Sequence, residues 1–141
     1  PEALFGALRK VQDTNVICAT AISQYAALGA LQAGPGYCRP YLADMAIVRR
    51  QGIEAMKSLE GRASLLPSTG AFYLFVRVPG YEGNDLDLAR NLIEHFGVAV
   101  IPGSAFGVND VCAFRASFGA LQSDSAIEGL DRLVTGLKNL V

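Results

Sequence analysis

The pattern of apolar positions divides the chain near Gly34. Before it, Leu4, Leu8 and Val11, with Phe5 beside them, recur at helical spacing, which predicts a helix over 2–13. Thr14 and Asn15 interrupt that pattern. Residues 20–33 predict a second helix, dense in Ala and Gly, with Thr20 as its cap. Gly34-Pro35-Gly36 is a breaker. Residues 39–59 then carry the longest helical pattern, with Leu42, Met45, Val48, Gly52, Met56 and Leu59 along one stripe. Pro40 suits its first turn and Gly61 its end. Such a helix spans about 30 Å, enough to bridge two domains. Arg49 and Arg50 are expected on its solvated side.

The period then drops to two. Gly70–Val78 predicts a strand with Phe72, Leu74, Val76 and Val78 on one face and Ala71, Tyr73, Phe75 and Arg77 on the other. Both faces begin apolar, so its first half is expected to be covered on both sides. Pro79 and Gly80 stop it. Asn84 or Asp85 is the expected cap of a helix over 86–96 that turns Leu88, Ala89, Leu92, Ile93 and Phe96 inward, with Gly97 just past its end. Val98–Ile101 reads as a short apolar strand, Pro102–Gly107 (PGSAFG) as a loop, and 111–118 as another strand. A last helix over 123–140 is expected to be capped by Ser123 or Ser125, the latter forming a capping box with Glu128. Ile127, Leu130, Val134, Leu137 and Val141 supply its apolar stripe.

The order long helix, strand, helix, strand, strand, helix defines an α/β class. It predicts a two-layer small domain, a mixed or antiparallel sheet covered by helices, preceded by two helices and a long linking helix. Strands 70–78 and 111–118 should be neighbours, with helices 86–96 and 123–140 on the sheet. The two helices before Gly34 have no strand to pack on, and their apolar stripes invite association.

Composition narrows the function classes. The chain has 141 residues, 51% of them hydrophobic and 18% charged, which fits a globular domain. A net charge of −1 gives no electrostatic case for nucleic acid or an anionic membrane as partner. No apolar run reaches the roughly 18 residues of a membrane helix. Cys18, Cys38 and Cys112 form neither a CxxC pair nor a disulfide framework, so reduced thiols and a cytoplasmic location are expected. The chain begins at Pro1, so a fragment or a processed product is expected. His95, the only histidine, falls in the last turn of a predicted helix, where a dipole contact is the expected role. It has no companion ligand at metal-binding spacing, so no metal site is expected. The PGSAFG loop lacks the Gly-Lys-Ser/Thr of a phosphate-binding Walker motif.

One residue carries candidate chemistry. Arg115 is the only charge on strand 111–118, where it shares a face with the small Ala113 and Ser117. Cys112, Phe114, Ala116 and Phe118 form the opposite, core face. A guanidinium on a mostly buried strand needs an anion, and the strand supplies none. That anion is either a carboxylate elsewhere in the chain, making an internal salt bridge, or a ligand; a surface Arg that snorkels to water needs neither. The planar fork of Arg is a natural carboxylate receptor.

Five stretches in order, Ser23–Leu31 (SQYAALGAL), the long helix after Gly36, Ser68–Val76 (STGAFYLFV), Val98–Gly107 (VAVIPGSAFG) and Phe114–Gly119 (FRASFG), carry a family likeness. With them the chain resembles the C-terminal part of class I/II, fold-type I, pyridoxal-phosphate-dependent aminotransferases, aspartate-aminotransferase-like in character. The resemblance implies that Arg115 matches the arginine that grips the substrate's α-carboxylate. It implies that PGSAFG lines the substrate side, that GAFY belongs to the mobile small domain, and that the long helix links two domains. Residues 1–34 would then be trailing helices of the large domain, 35–61 the inter-domain helix and 62–141 the small domain. Amino acids and 2-oxo acids would be the substrates, and the enzyme a homodimer.

The chain departs from the family pattern in one respect. The Schiff-base lysine, the aspartate at the pyridine nitrogen and the main phosphate contacts of the family lie upstream of the matched segment. Lys10, Lys57 and Lys138 stand in no such motif. No catalytic or cofactor-binding residue is therefore expected here, and the segment alone should be inactive. A non-catalytic α/β module that binds a carboxylate or a protein partner stands as the alternative. The sequence does not name the amino donor.

Overall fold

A computed structural model describes residues 2–141. It divides into two compact units, one ending at Arg39 and the other Pro40–Val141. The first holds helices α1 (Glu2–Asn15) and α2 (Ala21–Ala33) and a short 3-10 turn at Pro35–Tyr37. Neither helix buries a residue. Leu4, Phe5, Leu8 and Val11, the stripe that makes α1 amphipathic, are all exposed. Thr20 does precede α2 in an extended conformation, but its hydroxyl meets Ser23 Oγ at 2.9 Å rather than a backbone N–H. Light-scattering measurement of this chain alone is expected to give dimers or larger species, since exposed apolar area drives association; a clean monomer would count against that expectation.

The second unit is a two-layer α/β structure. Helix α3 (Arg39–Lys57), which begins at the boundary, is followed by strands β1 (Ser64–Leu65) and β2 (Tyr73–Arg77), helix α4 (Asp85–Phe96), strand β3 (Ile101–Pro102), a 3-10 turn at Gly103–Phe106, strand β4 (Ala113–Ser117) and helix α5 (Ser123–Leu140). The sheet order is β1-β2-β4-β3, and every neighbouring pair is antiparallel. The two long strands are indeed adjacent, with Phe75 opposite Arg115. Leu74, Val76, Phe114 and Phe118 pack with Val48, Met56, Leu59, Leu88, Leu92, Leu130, Leu133 and Leu137 in one core. The three helices therefore cover a single face of the sheet. Gly52 lets α3 come close to it: a Cβ there would lie 3.0 Å from Leu74 Cδ1 and 3.2 Å from Leu130 Cδ1.

Several boundaries and caps differ from expectation, each for a local reason. Strand β2 starts at Tyr73, because Ala71 takes a left-handed conformation with φ of 67° that no regular strand contains. Backbone pairing still extends past both ends, through Phe118 N–H to Phe72 O at 3.0 Å and Val78 N–H to Cys112 O at 2.8 Å. The apolar stretch at Val98 does not pair until Ile101; Val98 N–H is spent on Leu92 O, closing α4. Gly97, with φ of 66°, makes that closure. Asn84 caps α4 by accepting from Asp87 N–H at 2.8 Å. Neither Ser123 nor Ser125 caps α5: the cap position is Gln122, with no side-chain bond, so the Ser125–Glu128 capping box does not form. Two expected inward residues are open. Ile93 is 52% exposed and Leu42 is 55% exposed.

Candidate functional site

The first half of strand 70–78 is expected to be covered on both faces. On the face away from the core, Tyr73, Phe75 and Arg77 are half-buried, and what lies over this face is the 3-10 turn of PGSAFG. The turn is seated on Ala113, which is fully buried. A Cβ at Gly103 would come within 2.8 Å of Ala113 Cβ and 3.0 Å of its carbonyl oxygen. Glycine is needed there because the obstacle is partly backbone and cannot swing away. Of the two small residues expected to leave room beside Arg115, Ala113 is thus already roofed. The free flank is on the side of the exposed Ser117.

The turn ends by placing Phe106 against the guanidinium. Arg115 Cζ lies 4.7 Å from the Phe106 ring centre and 5.3 Å from that of Tyr73. Phe106 also meets Phe75 edge-on, with centroids 6.0 Å apart. Aromatic faces attract a guanidinium by about 0.5–2 kcal/mol each. They hold its plane without using its N–H groups, so the fork stays available. Among the described residues the ion pairs are Lys57–Glu54, Arg90–Asp87 and Arg132–Glu128, and Arg115 is in none. Its Nε is buried without a hydrogen-bond partner. The internal salt bridge left open by the sequence is therefore not formed. Arg77, opposite Ala113 on the same face, has a buried and unpartnered Nε as well.

Tyr73 and Phe106 were missed as partners of Arg115. Tyr73 was placed on the correct face of its strand, but the register that sets Phe75 opposite Arg115 is a long-range fact. Phe106 was visible only as part of a loop.

The remaining chemistry-bearing residues are accounted for structurally. His95 Nδ1 lies 3.2 Å from Asn91 O within its own helix. Among the described residues no group of three His, Cys, Asp or Glu could hold a metal ion, and no helix is long and apolar enough to cross a membrane. Cys18 and Cys38 are exposed, Cys112 less so. Burial first, and then the nearby Asp85 carboxylate, push the Cys112 thiol from 9.0 up to about 11. The thiolate is the reactive form. At pH 8 its fraction at Cys112 is lower by about a hundredfold than for an unperturbed thiol. Iodoacetamide at pH 8, followed by peptide mass spectrometry, is expected to label Cys18 and Cys38 well before Cys112.

Residues 1–133 match the family model for aminotransferase class I and II. The chain belongs to that family. It is 34% identical over 134 residues to Aromatic aminotransferase ISS1 of Arabidopsis thaliana, covering 95% of this chain and 33% of that protein. It is 29% identical over 150 residues to an aspartate aminotransferase of Rhizobium meliloti, covering 99% of this chain and 36% of that protein. Among solved structures, an aminotransferase from Mycobacterium tuberculosis superposes with a TM-score of 0.76 at 27% identity, over 99% of this chain and 36% of its own. The chain thus spans about a third of the length of the curated relatives it matches.

Pyridoxal phosphate is the cofactor this family implies. The residues of the second unit do not fit it as an anchor. Lys57 and Lys138 belong to α3 and α5, whose buried residues pack on the far face of the sheet from Arg115. Lys57 is moreover exposed and paired with Glu54 at 2.7 Å.

Proposed function

We propose that the chain is the C-terminal segment of a pyridoxal-phosphate-dependent aminotransferase that moves an amino group from an amino acid to a 2-oxo acid. In it Arg115 holds the substrate's α-carboxylate. The observation that carries this reading is an arginine fork on the open sheet face, framed by Tyr73 and Phe106 and paired with no carboxylate among the described residues. The buried Nε of Arg115 lacks a partner, and leaving such a donor unmet is costly; a bound carboxylate would supply one. Gripping two oxygens fixes how the α-carbon presents its C–H bond, which is the orientation a proton transfer needs. Residues 1–34 are then trailing large-domain helices, 35–61 the inter-domain helix and 62–141 the small domain. The complete enzyme is a cytoplasmic homodimer whose cofactor lysine lies outside this segment.

The test is expression of the complete reading frame with a panel of amino donors and 2-oxo acids. Transamination with cofactor absorbance is expected, while the 141-residue segment alone binds no pyridoxal phosphate covalently. A reading frame that encodes no large domain ahead of these residues would instead favour a carboxylate-binding module without catalysis.

A further inference from the structure

The turn that roofs Arg115 is tied to the rest of the unit through Ser104. Its backbone N–H donates to Asp85 Oδ2 at 2.6 Å, and its hydroxyl donates to Asp85 Oδ1 at 3.1 Å. Asp85 is the first residue of α4, where a carboxylate is favoured by the helix dipole. Its side chain is not the cap, however. Asn84 performs that task by accepting from Asp87 N–H. Both oxygens of Asp85 are instead used on the turn. Gly103 meanwhile rests on Ala113 with no space for a Cβ. The turn is thus gripped between a carboxylate on one side and a strand on the other, and Phe106, two residues past Ser104, has its ring fixed over Arg115.

We propose that Asp85 is a positioning residue for the carboxylate receptor: by holding Ser104 it sets the turn, and through Phe106 it sets the rotamer in which Arg115 presents its fork. The inference rests on the reading of Arg115 given above. Arg115 has a long side chain, and ordering it at the moment of binding would cost affinity. The Asp85–Ser104 bonds order it beforehand, from a residue that makes no ion pair with Arg115.

The experiment compares Asp85→Ala, Asp85→Asn, Arg115→Lys and the double variant Asp85→Ala/Arg115→Lys in the full-length holoenzyme, using the best amino donor from the panel. Asp85→Ala is expected to raise KM for donor and 2-oxo acid by about tenfold while kcat stays within about twofold. Cofactor absorbance should be unchanged. Asp85→Asn keeps an oxygen that can accept from Ser104 N–H, and it is expected to recover most of the loss. In the Arg115→Lys background the same Asp85→Ala change should add less than about twofold, because the fork it positions is gone. A residue that served folding alone would penalise both backgrounds equally, and that result would overturn the inference. So would an unchanged KM in Asp85→Ala. If Asp85→Ala does not fold, Ser104→Ala carries the test, since it removes the hydroxyl bond alone; a KM rise of about two- to threefold is expected, and none would overturn the inference. Normal kcat/KM in Arg115→Lys overturns the receptor reading and this one with it. An impaired Arg115→Lys beside a normal Asp85→Ala overturns only the role of Asp85.

Discussion

Arg115→Lys in the full-length enzyme is expected to lower kcat/KM for the amino donor by about a hundredfold or more, equivalent to about 3 kcal/mol of transition-state stabilisation. Lysine keeps the positive charge, so a purely electrostatic steering role would survive. It loses the planar pair of N–H groups that meets two carboxylate oxygens at once. It also fits poorly in the slot between Tyr73 and Phe106, where a flat guanidinium stacks against rings 5.3 and 4.7 Å from Cζ. Orientation should therefore suffer with affinity, and kcat should fall as well as KM rise. Cofactor absorbance should hardly change, because on the proposed reading the cofactor's anchors lie outside this segment. Near-normal kcat/KM, or a structure of the complete enzyme with an internal Asp or Glu on Arg115 in both free and substrate-bound states, would sink the assignment.

The largest stability effect is expected one residue earlier. Phe114 lies on the same strand with its ring on the opposite face, and it is 0% exposed. It packs in the core shared by the sheet and the three helices. Phe114→Ala removes the contacts and leaves a cavity, which costs about 3–5 kcal/mol for a buried Phe. That is a large share of the roughly 5–15 kcal/mol that holds a domain together. Urea denaturation of the Pro40–Val141 unit should show the midpoint falling accordingly, with little change in slope. Ile93→Ala, at an exposed site of α4, should shift the same midpoint far less. A Phe114 effect no larger than that of Ile93 would mean the core is assigned to the wrong face.

Local signals proved legible and long-range ones did not. The strand alternation at Leu74, Val76 and Phe114 identified the core face correctly, because burial on one side leaves a period of two. Asn84 and Gly97 announced the ends of α4 by side-chain and backbone chemistry confined to a few residues. The Ser125–Glu128 pattern misled for the same reason: the motif is local, but helix α5 begins before it, at Ser123. Ala71 gave no warning of its left-handed conformation, since alanine has no preference for one. Arg115 could be singled out as a lone charge on an apolar strand. Its aromatic frame could not, because Tyr73 and Phe106 reach it only through the β2–β4 register and the seating of the turn on Ala113.

The central pair β2 and β4 has a consequence for how the chain is made. Its two strands are separated by about 35 residues, Val78 to Cys112, which must close before the ladder can form. During synthesis β2 leaves the ribosome well ahead of β4, with Leu74 and Val76 still without Phe114 and α5 and one whole edge unpaired. An exposed apolar edge strand is a template for other chains. Until β4 arrives, the nascent segment is open to aggregation, and chaperone demand should peak in that interval. Codon or temperature changes that lengthen the delay between Arg77 and Ala113 should lower the soluble yield more than equal delays placed elsewhere.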